Sequence, residues 1–167
     1  EQRWNWELVF CELYAGGKYG GGEGDNYEYS LGLNGLGSCA TQYASKYMDV
    51  TVRRDGKKYT LHFERGENIG GLHEEPSDRG RKTGTTIRWL PDLDVFTDID
   101  IPPEYFTDTM KRQAVVNAGV TFRFRSETAP GKFETEDFVY QNGIVDYVAE
   151  LAGEGSLTAP VFWEAER

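Results

Sequence analysis

MDVTVRRDGKKYTLHFER, residues Met48–Arg65, holds two runs in which apolar and polar residues alternate. The first is Met48–Arg54 and the second Lys57–Arg65, with Asp55-Gly56 between them. A period of two marks a strand with one buried face. Asp-Gly suits the positive φ angles of a two-residue hairpin turn. The stretch therefore predicts an antiparallel hairpin, with His62 at an exposed position between Leu61 and Phe63.

Working outward, Gly35–Lys46 (GLGSCATQYASK) reads as a helix with Leu36, Ala40, Tyr43, Ala44 and Tyr47 inward. Lys18–Ser30 is glycine-rich and polar without a period, which reads as a loop or lid. Before it, Arg3–Tyr14 places Trp6, Val9, Phe10 and Leu13 on one helical face, closed by Ala15-Gly16-Gly17. Downstream, Gly66–Arg81 is polar and punctuated by glycine, so it reads as a loop. Thr83–Leu90 is β-rich and Pro91 stops it. Pro102-Pro103 can open a helix running to about Ala118. Val120–Arg125 and Phe133–Tyr140 read as a second strand pair, Asn142–Ala152 as a short amphipathic helix, and Thr158–Glu164 as a last strand. Hairpins with helices before and between them predict an α+β, two-layer sandwich. A boundary falls near Tyr140–Gly143, where the pattern returns to helix.

The 167 residues suffice for one domain with a core. The formal net charge of -10 argues against the chain itself clamping nucleic acid, which calls for a basic footprint. Cys11 and Cys39 have no C-x-x-C or histidine spacing and read as buried free thiols of a reducing compartment. No apolar run is long enough to span a membrane.

Three features can carry chemistry. Gly32-Leu33-Asn34-Gly35-Leu36-Gly37 has the spacing G-x-x-G-x-G and leads into a helix. Glycines admit close approach, and the first helical amides lack partners, so an anion such as phosphate can sit there. Lys18, in Ala15-Gly16-Gly17-Lys18, offers a cation, and Thr85, in Lys82-Thr83-Gly84-Thr85, a hydroxyl. Each also has an ordinary reading: a glycine turn, a solvated loop lysine and a strand threonine. Neither the G-x-x-x-x-G-K-[ST] phosphate loop nor the G-x-G-x-x-G dinucleotide fingerprint is present. His62 and His73 lack metal-ligand spacing, and Glu74-Glu75, Glu134, Glu136 and Asp137 read as solvated surface. No G-x-S-x-G elbow occurs.

Taken in order, Ala15–Lys18, Gly32–Gly37, Lys82–Thr85 and Pro91-Asp92-Leu93-Asp94-Val95-Phe96-Thr97 resemble the ATPase region of type IIA DNA topoisomerases, as found in gyrase B and topoisomerase IV B. Val116-Asn117-Ala118-Gly119-Val120 and Tyr140-Gln141-Asn142-Gly143-Ile144 resemble later segments of the same region. The resemblance runs from about Leu8 to Trp163. It implies the gyrase/chaperone/kinase/MutL ATPase fold, with a mixed, largely antiparallel sheet and helices on one face. Residues 1–141 would be a partial ATP-binding domain, with a lid over about 15–37, and 142–167 would lead into the transducer domain.

Residue by residue, Leu33, Asn34, Gly35, Leu36 and Gly37 would give backbone contacts to the triphosphate of ATP. Lys18 would contact phosphate, Tyr27 adenine, and Thr85 would hydrogen-bond beside the adenine. Arg54 would stand at the rim where aminocoumarin inhibitors bind. The family's general-base glutamate, magnesium-binding asparagine and adenine-reading aspartate match nothing here and are expected upstream of residue 1. Its second phosphate lysine is expected downstream. Leu31 replaces a usual glycine, Glu28 stands where some members carry lysine, and the lid is a few residues longer.

The implied role is to couple ATP binding and hydrolysis, with Mg2+ in the full-length protein, to passage of one DNA duplex through another. The implied partners are the rest of the gyrase B-type polypeptide, the topoisomerase's A-type polypeptide, DNA through the full complex, and a second copy in an ATP-dependent homodimer. The implied compartment is the cytoplasm, without membrane contact. Two alternatives remain from the residues: a non-catalytic nucleotide-sensing or protein-interaction module of the same fold, and an acidic β-rich binding domain with a coincidental glycine loop. Without a general base or metal ligand, the isolated chain is expected not to hydrolyse ATP. Phosphate release above a blank, abolished by Gly35→Ala or Gly37→Ala, would contradict that expectation.

Overall fold

The computed structural model describes residues 4–15 and 35–163. The chain divides into two compact units, Glu1–Ile99 and Asp100–Arg167.

In the first unit the Asp55-Gly56 hairpin forms as its sequence dictates. Strand β1 (Ser45–Arg54) pairs antiparallel with β2 (Lys57–Glu64), Arg54 standing opposite Lys57. Asp55 (φ 54°) and Gly56 (φ 77°) take the left-handed angles of the turn. This register puts Met48 opposite Phe63 and Val50 opposite Leu61. All four are buried, Phe63 completely. Helix α1 (Asn5–Cys11) covers that face: Phe63 meets the ring of Phe10 at 5.7 Å and that of Trp6, edge-on, at 6.2 Å. Cys11, Val52 and Leu72 pack around the cluster.

Gly66–Arg81, expected as a loop, is mostly strand. Arg65 (φ 48°) and Gly66 (φ 95°) make a second two-residue turn, and β3 (Glu67–Pro76) returns along β2. Gly70 and Gly71 both have positive φ. The ladder jumps there from Thr60↔His73 to His62↔Ile69, so β3 absorbs two extra residues in a bulge. That bulge is why no period of two is visible. Strand β4 (Gly84–Pro91) pairs with the other side of β1, giving the order β3-β2-β1-β4 with every pairing antiparallel.

Both helices among the described residues of this unit are shorter than their patterns suggest. Helix α1 ends at Cys11, so Leu13 falls beyond it, and Val9 and Leu13 are exposed. Helix α2 (Gly37–Tyr43) buries Cys39 and Gln42 rather than Ala40 and Tyr43, because the chain has already entered β1 at Ser45. Tyr43 instead lays its ring against the second turn: a Cβ on Gly66 would stand 2.7 Å from Tyr43 Cδ1.

In the second unit, α3 (Pro103–Val116) opens with proline in its first turn. It packs on a hairpin of β5 (Phe122–Ala129) and β6 (Lys132–Phe138), with Phe106 and Phe124 stacked at 5.9 Å. Helix α4 (Ile144–Ala152) is tied to α3 through Glu150, whose carboxylate accepts from Lys111 Nζ and from Tyr140 Oη, each at 2.7 Å. Asn142, expected inside α4, precedes it and donates from its backbone and side chain to Asp146. Residues 158–163, expected as a strand, form none.

On the face of the first sheet away from α1, His62 is half-buried rather than free. Its Nδ1 lies 2.6 Å from Asp49 Oδ1 and its Nε2 3.2 Å from Glu64 Oε1. These contacts, Asp49 first, hold the imidazole's pKa above its ordinary value. The extra stability is therefore complete below about pH 6.5 and is lost as pH rises through the folded-state pKa. His62→Gln should cost most stability at acid pH and progressively less above neutrality, as chemical denaturation at stepped pH will show. At the second turn, Gly66→Ala forces both an unfavourable φ and a shift of Tyr43. Urea denaturation should register a loss of about 2 kcal/mol.

Candidate functional site

Of the residues singled out from sequence, Lys18, Tyr27, Leu33 and Asn34 lie outside the described residues. Gly35, Leu36 and Gly37 open α2. Gly35 takes φ 58° and Leu36 is the N-cap. The helix's first hydrogen bond runs from Ala40 N to Leu36 O at 2.8 Å, so the preceding amides of residues 37–39 have no intrahelical acceptor. A Cβ on Gly37 would meet nothing within 4 Å. Thr41 Oγ1 donates to Gly37 O at 2.8 Å and holds the turn. The far end of α2 is tied to the end of β4, because Asp92 N donates to Ala44 O at 3.0 Å.

Thr85 stands opposite Val52 in the β1–β4 ladder, so the two share a face. Val52 packs on the Phe63 cluster, which puts Thr85 on the helix-bearing side. Ile87 and Trp89 continue that row opposite Val50 and Met48 and remain partly exposed. A hydroxyl followed by two apolar side chains suits a planar heterocycle that needs few polar contacts. Arg54 lies two residues past Val52 and belongs to the same row. Its guanidinium is largely exposed, 3.2 Å from Asp55. Thr85 and Arg54 are thus brought to one face, and α2 packs on α1, which covers that face.

Other groups here were not foreseen. Arg65 Nε lies 2.9 Å from the buried Asp92 and its Nη2 2.7 Å from Asp94, binding the second turn to the end of β4. Arg53 grips Asp78 with both Nε (2.7 Å) and Nη2 (3.2 Å). These pairs join residues far apart in sequence, so no local pattern announces them. Gln42 Oε1 and Nε2 and Trp6 Nε1 are buried without a hydrogen-bond partner. Burial pushes both thiols above their ordinary pKa, Cys11 further through Cys39 and Glu7, so both are protonated and weak nucleophiles. A groove of about 320 Å³ on the opposite face, lined by Asp49, Thr60, His62 and His73, includes none of the predicted residues. Among the described residues no three His, Cys, Asp or Glu side chains group as a metal site, and no helix is long and apolar enough to cross a membrane.

No protein-family model matches the chain. It is 39% identical to the gyrase B polypeptide of Synechocystis over 146 residues, covering 87% of this chain and 13% of that protein. It is 37% identical to the topoisomerase 4 B polypeptide of Escherichia coli over 155 residues, covering 92% of this chain and 23% of that protein. The chain thus spans less than a quarter of the length of either relative. The crystal structure of the 43K ATPase domain of Thermus thermophilus gyrase B in complex with an aminocoumarin matches 72% of this chain and 32% of that chain, with a TM-score of 0.63 and 26% identity.

Proposed function

The chain belongs to the gyrase B and topoisomerase 4 B family, and from that premise we propose that it carries the lid and phosphate cradle of an ATP site. One observation supports this most: the amides of residues 37–39 at the start of α2 have no intrahelical acceptor, and among the described residues nothing lies within 4 Å of a Cβ on Gly37. Amides held there can donate to phosphate oxygens without reorganising, which is how a protein stabilises a polyanion at low cost.

In this reading Leu33, Asn34, Gly35, Leu36 and Gly37 wrap the triphosphate and Lys18 adds a cation. Tyr27 contacts adenine. Thr85 hydrogen-bonds at the purine's edge while Ile87 and Trp89 shield one side of it. Arg54 forms the rim. Residues 1–141 belong to the ATP-binding domain, and 142–167 lead out of it.

The longer protein would use this site to couple ATP binding and hydrolysis to DNA strand passage in the cytoplasm. It would work with the A-type polypeptide of the topoisomerase and dimerise when ATP binds. Bound Mg2+ would supply screening of the phosphate charge. This chain's own part is to bind and orient the nucleotide.

Gly37→Ala separates the ligand from the fold. Among the described residues nothing lies within 4 Å of the added methyl, and in this reading it stands where phosphate would approach. Calorimetric titration with ATP should show affinity falling about tenfold or more, with a denaturation midpoint that is equal or higher, since alanine suits a helical position better than glycine. Unchanged affinity would overturn the phosphate-cradle assignment.

A further inference from the structure

The chain carries a formal net charge of -10, and the ligand read for its site is a polyanion. A field of that sign slows the approach of an anion, so the few cations near the site govern how fast it arrives. Around the β1–β2 hairpin, cations are bound to carboxylates: Arg54 to Asp55, Lys57 to Glu74 and Lys58 to Glu75. Arg65 at the second turn is bound to Asp92 and Asp94. Arg79, Arg81 and Lys82 differ. All three are exposed, and none pairs with a carboxylate among the described residues.

These cations share one turn. Lys82 N donates to Arg79 O at 3.3 Å and Gly80 takes φ 60°, so residues 79–82 fold back on themselves. Asp78 precedes the turn, but Arg53 holds both of its oxygens, at 2.7 and 3.2 Å. The carboxylate next in sequence is therefore turned to Arg53 and leaves the turn's positive charge uncompensated. The turn is also fastened where Arg54 and Thr85 lie. Ser77 N donates to Gly56 O at 2.8 Å, two residues from Arg54. At the other end Gly84 stands opposite Arg53, and Thr85 follows it. Lys82 and Thr85 are three residues apart, so their Cα atoms lie within about 11 Å. The Debye length is about 8 Å at physiological salt and longer in dilute salt. At such distances a charge attracts an incoming anion without touching it.

We propose that the Arg79–Lys82 turn steers the nucleotide to its site: its cations offset the repulsion of the acidic chain locally and speed association. This rests on the ATP-site reading above. The turn makes no contact with the bound ligand. It acts on the rate of arrival, through charge.

The test uses the 167-residue chain and a ribose-labelled fluorescent ATP in stopped-flow mixing, at about 20 mM and about 500 mM salt. Arg79→Gln/Arg81→Gln/Lys82→Gln should associate about fivefold more slowly in dilute salt and within about 1.5-fold of the parent in concentrated salt. Its dissociation rate should stay within about twofold of the parent's. Arg79→Glu/Arg81→Glu/Lys82→Glu should associate more slowly still. Arg79→Lys/Arg81→Lys keeps the charge and loses the planar fork, and should match the parent. The three side chains are exposed, so denaturation midpoints should be unchanged, which keeps a folding defect apart from a loss of steering. Equal association by the parent and the neutralised chain in dilute salt overturns the proposal. So does a loss carried by the dissociation rate, undiminished in concentrated salt, or shared by the lysine variant, since each marks direct contact. A parent chain that binds no nucleotide removes the ATP-site reading itself. That outcome differs visibly from equal rates in parent and variants.

Discussion

A slip of one residue between β1 and β2 would turn every side chain of β2 to the opposite face relative to β1. Phe63 would leave the helices and His62 would enter the core. The register is set by the Asp55-Gly56 turn, whose two left-handed residues leave Arg54 opposite Lys57. The apolar side chains then reinforce it. Phe63, fully buried against Phe10 and Trp6, gives the helices one seat on one face. The positions of α1 and of Thr85 follow from that choice of face.

The same choice separates two kinds of chemistry. The helix-bearing face carries the row Arg54, Val52, Val50 and Met48, and beside it Thr85, Ile87 and Trp89. This row is mostly apolar, with one hydroxyl and one cation near the hairpin end. The other face carries Asp49, His62, Arg53 and Arg88 and is held together by ion pairs. A nucleotide needs an apolar wall for its base and oriented donors for its phosphates. Among the described residues the helix side carries the apolar row, and the amides at the glycine start of α2 have no intrahelical acceptor. The arginine pairs do not contribute a second site. They tie the segments that flank β4 to the sheet, Arg53 through Asp78 before it and Arg65 through Asp92 after it.

Much of this was legible in local sequence. The hairpin, β4, α3 and the β5–β6 pair announce themselves by period, by Asp-Gly and by proline. The third strand did not, because Gly70 and Gly71 insert a bulge that breaks its alternation, and Arg65-Gly66 is a weak turn signal. The buried side of α2 was misread by about one position, since helical spacing was carried past Tyr43 into residues already in strand. The arginine clamps could not be read at all: Arg53 and Asp78 are 25 residues apart and meet only once the sheet exists. The family was legible because it depends on several short motifs in order, and identities of 39% and 37% to gyrase B and topoisomerase 4 B relatives agree with it.

In the proposed reading the glycine start of α2 and Thr85 serve one ligand on one side of the sheet. Titrating the isotope-labelled chain with ATP and following backbone amide resonances tests it directly. Gly35, Leu36, Gly37 and Thr85 should shift together along one saturation curve while Asp49, His62 and Glu64 stay still. Shifts confined to the Asp49–His62 face, or different midpoints for Gly37 and Thr85, would contradict it.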